Sequence, residues 1–266
     1  MRLAKLIFIG GIAVWIINAA LHCGSGVTLG HDEARYASDT RELLDGRDKR
    51  YIYVPSGMNG IALPGVLAGG DERALRVLPM LAGLLFLFAA WRFARRAVGE
   101  DAAYWTVGVL AGTHSIVQFN AQLLSDLPST GCMLAALAIL IAELTRDGGP
   151  RYRLLAVAPL LAAAFYIRYG SCLTIVLIGL AAIGFGARAI AQRPLLVIVT
   201  GLVFIALLVP HLLDSIDQTG SALGIMRASA KVPPRGGSAL AGYFLANPIW
   251  RYGALAAPLM FVGALA

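Results

Sequence analysis

Long apolar runs separated by short charged stretches dominate this chain. The first run, Leu3 to Leu21, has the ~20 residues a helix needs to cross the ~30 Å hydrocarbon core of a bilayer. It predicts a first membrane span. An N-terminal apolar run also reads as a cleaved signal peptide. Against that stand its full spanning length, the lack of a clean small-x-small cleavage pattern, and His22 ahead of Cys23. A hydrophilic stretch from Gly24 to about Pro55 follows, holding Asp32, Glu33, Arg35, Asp39, Arg41, Glu42 and a run of charges from Asp45 to Arg50. Met58 to Leu67 is mildly apolar and contains Pro64. It is too short to span and predicts a surface-lying or re-entrant piece. The second, third and fourth spans are expected at Ala74–Ala94, Ala102–Asn120 and Leu127–Leu144. Leu154 to Ile190 reads either as one bent helix or as two spans broken at Arg168-Tyr169-Gly170. A seventh span is expected at Pro194–Leu213. A second outside loop follows at 214–247, and Pro248 opens an eighth, partial segment. Its uninterrupted part, Gly253–Ala266, is short for a span, so the chain is expected to be the front portion of a longer, C-terminally incomplete domain.

Composition narrows the class. Of 266 residues, 58% are apolar and 14% charged, and mean hydropathy is +0.73. Soluble domains run nearer 45–50% apolar and about 25% charged. Disordered chains are poor in apolar residues and rich in charge, and collagen, coiled-coil and disulfide scaffolds fail on composition as well. The fold expected is an all-α polytopic membrane protein, one domain over residues 1–266, with about seven complete spans and a helical first outside loop over 24–73. Cys23, Cys132 and Cys172 lack metal-ligand spacing and read as small apolar residues.

Net charge is +7. In a soluble protein that points toward nucleic acid; here it is first a topology signal. With the N-terminus inside and two spans in Leu154–Ile190, ten basic residues face four acidic ones inside, and twelve face eleven outside. A single span would move Arg188 and Arg193 outside and weaken that asymmetry. The two-span arrangement therefore follows the positive-inside rule, with a lipid bilayer and no nucleic acid as partner.

Candidate chemistry gathers outside. As a helix, Asp32, Arg35, Tyr36 and Asp39 fall on one face at i, i+3, i+4 and i+7. A carboxylate there can take a proton from an attacking hydroxyl. Arg35 and Tyr36 can bind phosphate oxygens. The competing reading is structural: Asp32 and Glu33 sit where acids satisfy a helix N-terminus, and the other charges form a solvated face. Asp126, at the outer mouth of the fourth span, is either functional or part of a cap for a helix begun near Pro128. Arg168 either holds a phosphate or snorkels to headgroups. His114, Gln118 and Asn120 read as interhelical hydrogen-bonding partners. His31 beside Asp32 is a weak candidate for metal or acceptor. No phosphate-cradling Gly loop, Ser-His-Asp set or zinc signature stands out.

Asp32-Glu-Ala-Arg-Tyr36 after a first span, Glu72-Arg-Ala-Leu-Arg-Val-Leu-Pro79 opening the second, Ser125-Asp-Leu-Pro128 opening the fourth and Ala162–Tyr169 closing the fifth occur together. In these the chain resembles the protein mannosyltransferase and aminoarabinose transferase superfamily of GT-C membrane glycosyltransferases, including lipopolysaccharide-core transferases of rhizobial type. The resemblance implies a GT-C helical bundle and a polyprenyl-phosphate sugar donor. It implies transfer with inversion to an extracytoplasmic lipid, glycan or protein hydroxyl, at the periplasmic face of a cell inner membrane. It places Asp32, Glu33 and Asp126 at catalytic positions and Arg35, Tyr36 and Arg168 near the donor phosphate. It leaves room for a divalent metal without naming ligands. One departure is clear. Many members carry Lys-Pro-Pro before the second span; here Ile52-Tyr-Val-Pro-Ser-Gly57 has no lysine, and Lys49 and Arg50 are the candidates to take its place. The alternatives are a transporter or flippase for a lipid-linked sugar, which calls for charges along a path through the spans, and an inactive fragment.

Overall fold

The computed structural model describes residues 2–24, 29–48, 53–113, 116–117, 122–144, 152–192 and 194–231. Among the described residues the regular structure is entirely helical. Helix α1 covers Arg2–Gly24, α2 His31–Leu44 and α3 Ser56–Leu67. Helix α4 covers Glu72–Ala97, α5 Glu100–Gly112 and α6 Asp126–Leu144. A 3-10 turn at Tyr152–Ala156 leads into α7, Val157–Ile167. Helices α8, Ser171–Ala191, α9, Pro194–Thr219, and α10, Gly224–Lys231, complete the set.

Four of these are long and apolar enough to cross a membrane: Arg2–Leu21, Arg73–Ala97, Asp126–Leu144 and Pro194–Thr219. Tyr152–Ile167 and Ser171–Gly184 are shorter apolar helices. The pattern predicts seven spans, and the described residues differ at the third, fifth and sixth. In the third predicted span α5 ends at Gly112, and Ile116 and Val117 are helical again. His114, Gln118 and Asn120 lie outside the described residues, as do Lys49, Arg50, the eighth segment and the second outside loop beyond Lys231. The fifth begins as a 3-10 turn, which rises faster per residue than an α-helix, so its 16 residues still rise about 26 Å. The Leu154–Ile190 run is indeed divided. Arg168 is extended, with φ −152° and ψ 107°, and α8 starts afresh at Ser171.

Half of the apolar window of α4 is buried, against 6% for α9, so α4 is central and α9 peripheral. Helix α4 packs most extensively on α6 and also on α5, and α1 lies along α5. At the α1–α5 crossing Gly11 meets Gly108. A Cβ on Gly11 would sit 2.1 Å from the Gly108 carbonyl oxygen, so the backbones touch, as small residues permit in membranes. Inside the bundle, Ser129 of α6 donates to the Ala164 carbonyl at 3.1 Å, and its hydroxyl lies 2.6 Å from that of Ser171. Both serines are buried, so α6, α7 and α8 are joined where no water competes.

The hydrophilic first loop folds into a helical cap. The α2 residues Tyr36 and Ala37 pack on Val54, Met58 and Ala62 around α3, and these on Leu75, Leu123 and Ile167 at the ends of the long helices. Helix α3 sits close against α7. A Cβ at Gly57 would lie 2.7–2.8 Å from the Tyr166 and Ile167 backbone, which has no rotamer by which to yield. Gly60, on the same helix, has nothing within 4 Å. Gly57→Ala should therefore lower the thermal midpoint of the detergent-solubilised protein, whereas Gly60→Ala should leave it unchanged or raise it, since a glycine inside a helix costs ~0.5–1 kcal/mol of stability relative to alanine. Equal melting of the two variants contradicts this packing.

Candidate functional site

Helix α2 carries the first candidates, and its orientation follows from one carboxylate. Glu33 is 3% exposed. Its Oε2 accepts from the Gly30 backbone N–H at 2.6 Å, closing the helix N-terminus. Its Oε1 accepts from the Leu123 N–H at 2.8 Å, just ahead of α6. With Glu33 inward, Tyr36, Ala37 and Thr40 follow at helical spacing and are buried too. The face expected from the sequence, Asp32-Arg35-Tyr36-Asp39, is thus split. Tyr36 and Asp39 point in, and Asp32 and Arg35 lie at the rim.

Asp32 is the accessible carboxylate here, with 46% of its side chain exposed. Arg35 is held in place by several neighbours. Its Nη1 is 3.7 Å from Asp32, its Nη2 3.2 Å from His31 Nε2, and its guanidinium stands 5.5 Å over the Tyr53 ring. Such stacking and forked hydrogen bonding fix an arginine in a way that a surface lysine would not be fixed.

Tyr36 marks where the elements meet. Burial pushes its phenol pKa up from 10.0; the charge of Asp32 adds to this, a hydrogen bond with Ser125 lowers it, Asp126 raises it and Arg168 lowers it. Residues from α2, from the entry of α6 and from the α7–α8 junction therefore all act on one buried hydroxyl. Asp126 and Arg168 are joined to each other by an ion pair, with 38% and 46% of their side chains exposed. Arg168 is thus directed at Asp126 rather than reaching away to the bilayer surface. The structure brings Asp32, Tyr36, Asp126 and Arg168 together, with Arg35 beside Asp32 and Glu33 beneath. Lys49 and Arg50 are outside the described residues. Among the described residues no three His, Cys, Asp or Glu side chains gather as a metal cage would require; Asp32 and Asp126 are the carboxylates that act on Tyr36.

Sequence reasoning missed two supports. Ser56, at the start of α3, hydrogen-bonds Tyr169. Tyr169, at the break between α7 and α8, is 4% exposed. Its ring packs on Phe165 and on His211 of α9, at centroid distances of 5.4 and 4.8 Å. Burial raises its pKa, the bonds to Ser56 lower it, and Asp214 raises it. Tyr53, under Arg35, was the second. Neither Tyr53 nor Ser56 has a spacing that marks it, because each partner is more than 15 positions away along the chain.

A helical bundle with several membrane-crossing helices, capped at one end by the charged helix α2 and the apolar α3, defines an integral membrane protein with a polar site at its surface. The family model for dolichyl-phosphate-mannose-protein mannosyltransferases matches residues 60–213, more than half of the chain, and the chain belongs to that family. It is a multi-pass membrane glycosyltransferase of the GT-C type. Asp126 and Arg168 fall within the matched residues; Asp32 to Tyr36 precede them. No curated protein and no solved structure matches the chain.

Two measurements check this geometry. Glu33→Gln keeps one acceptor oxygen and Glu33→Ala keeps none. Thermal stability should therefore fall in the order parent, Gln, Ala, with the Ala variant losing roughly 1–3 kcal/mol, chiefly for the stranded Leu123 N–H. Asp32→Asn should melt as the parent does. The second measurement concerns Tyr36. A folded-state pKa above 10.0 makes the unfolded chain ionise first. Stability from this phenol is complete below pH 10.0 and is lost as pH rises through the folded value. In a 295 nm titration, subtracting Tyr36→Phe from the parent should isolate a phenolate appearing above pH 10.0; an ordinary midpoint would contradict its burial.

Proposed function

We propose that this glycosyltransferase moves a sugar from a polyprenyl-phosphate donor to a hydroxyl acceptor, lipid, glycan or protein, with inversion at the anomeric carbon. The supporting observation is the half-exposed Asp32 carboxylate at the rim of a cluster holding Tyr36, Asp126 and Arg168, on a chain of the mannosyltransferase family. Asp32 takes the proton of the acceptor hydroxyl as its oxygen attacks C1. The C1–O bond to the phosphate breaks, and polyprenyl phosphate leaves with the bonding electrons. Single displacement from the opposite face inverts the centre. Arg35 and Arg168 meet the phosphate oxygens where negative charge accumulates, Tyr36 donates a hydrogen bond, and Lys49 and Arg50 supply further positive charge. Asp126 holds Arg168 in position until the donor phosphate takes it, and Glu33 holds the α2 N-terminus on which Asp32 rides.

The charge distribution supports an N-terminus in the cytoplasm of a cell whose inner membrane holds the protein, with the site on the periplasmic side. A lipid-linked-sugar transporter would need charged groups along a path through the membrane. The acids that converge here sit at one end of the bundle instead.

Asp32→Asn in the full chain, reconstituted in vesicles with a polyprenyl-phosphate sugar, should lower kcat by ~10²–10⁴ fold, the usual contribution of a general base. Undiminished turnover would remove Asp32 from this role.

A further inference from the structure

A groove of about 740 Å³ runs along α4, α6 and α7, from Ile61, Pro128 and Ile167 beneath the polar cap to Arg92 and Arg96 at the opposite end of the bundle from Asp32. Its walls are almost wholly apolar. Leu81, Leu85 and Phe88 line it and are 52%, 68% and 61% exposed, so the groove opens sideways to the bilayer core. Its far end changes character: Arg92 and Arg96 of α4, Arg153 before α7 and Glu143 of α6 line it there. Arg92 and Arg96 are one turn apart and share a face. Arg95 between them lies over the Trp91 ring instead, 5.0 Å from its centroid.

Glu143 is 1% exposed, and its Oε2 accepts no hydrogen bond among the described residues. An ionised carboxylate buried without full hydrogen bonding is costly unless a ligand completes it. The end of the groove thus offers three guanidinium groups for an anion and a buried oxygen for a hydroxyl donor.

We propose that this groove is a binding site for an anionic glycerophospholipid of the leaflet opposite the candidate active site. Its phosphate lies among Arg92, Arg96 and Arg153, a headgroup hydroxyl donates to Glu143, and one acyl chain follows the apolar walls from there as far as Leu85. From Arg96 back to Leu78, α4 rises about 27 Å, most of the ~30 Å hydrocarbon core; the part from Arg96 to Leu85, about 16 Å, is the depth of the leaflet on the arginine side. Three arginines against one glutamate leave net positive charge for the phosphate. The uncharged far end of a polyprenyl chain would leave those arginines without a counter-ion.

The test reconstitutes the full chain into nanodiscs holding equal phosphatidylglycerol and phosphatidylcholine and reads the retained lipid by native mass spectrometry. The parent should keep phosphatidylglycerol at least tenfold over phosphatidylcholine, and Arg92→Gln/Arg96→Gln should lose that preference. A helical melt confirms that the double variant folds. Should it not fold, Arg153→Gln, on an exposed side chain, carries the test, with a several-fold loss expected. Equal retention of both lipids by the parent, an unchanged preference in folded variants, or one-for-one displacement of phosphatidylglycerol by polyprenyl phosphate would each overturn the proposal. None of these readouts depends on glycosyl transfer, so the outcome stands apart from that of Asp32→Asn.

Discussion

Glu33 joins parts of the chain 90 residues apart, and the arrangement of the polar cap depends on it. One oxygen closes the N-terminus of α2 and the other receives the N–H of Leu123. A helix of hydrophilic sequence has little of its own to hold it on a bundle, since most helix stability in proteins comes from burying an apolar stripe. Here a buried carboxylate stands where such a stripe would begin. It fixes the rotation of α2, and with that rotation Tyr36 goes under, Asp32 stays at the rim, and Arg35 lies over Tyr53. Charge-assisted bonds to backbone N–H groups are among the stronger ones, and leaving the buried Leu123 N–H unpaired would cost more than the bond returns. The position of Asp32 relative to Asp126 is therefore set by a residue whose own oxygens are both occupied.

The bundle was legible from the apolar runs because length and hydropathy suffice to mark a span. The break at Arg168-Tyr169-Gly170 was legible because a charged residue and a glycine interrupt an otherwise continuous run, and because one span would have spoiled the charge asymmetry. The rotation of α2 was not legible. Periodicity finds a face by its apolar members, and the face of α2 that turns inward begins with an acid. Shifting the face by one residue moved Asp32 from its centre to its edge, although Asp32, Tyr36, Asp126 and Arg168 were each singled out by residue type and place. The bond between Ser56 and Tyr169 was out of reach for a different reason: it needs α3 against α7, a contact made possible by Gly57 and invisible in either segment alone.

Membrane proteins must satisfy polar groups internally wherever water is absent. Where Gly11 meets Gly108 the backbones simply touch; one turn in from the polar end, the chain satisfies Ser129 with Ser171 and the Ala164 carbonyl. Such contacts are worth only about 0.6–2 kcal/mol apiece, but lipid offers them no competitor. Ionised groups are pushed to the ends, acids with arginines at one and arginines around Glu143 at the other. The two ends meet different chemistry because they face different sides of the bilayer.

The ion pair between Asp126 and Arg168 bears on how a phosphate would enter. More than a third of each side chain is exposed, and pairs of this kind are worth only ~0–1 kcal/mol once solvent screening is counted. An incoming phosphate can therefore take Arg168 at little cost, since it offers the guanidinium a second set of paired oxygens. Asp126 would then be left beside Tyr36 without its cation, and its charge would weigh more heavily on the buried phenol. That keeps Tyr36 protonated, the form able to donate a hydrogen bond to the leaving oxygen. On the proposed reading, donor binding would thus help to ready the site for the charge that builds as the glycosidic bond breaks.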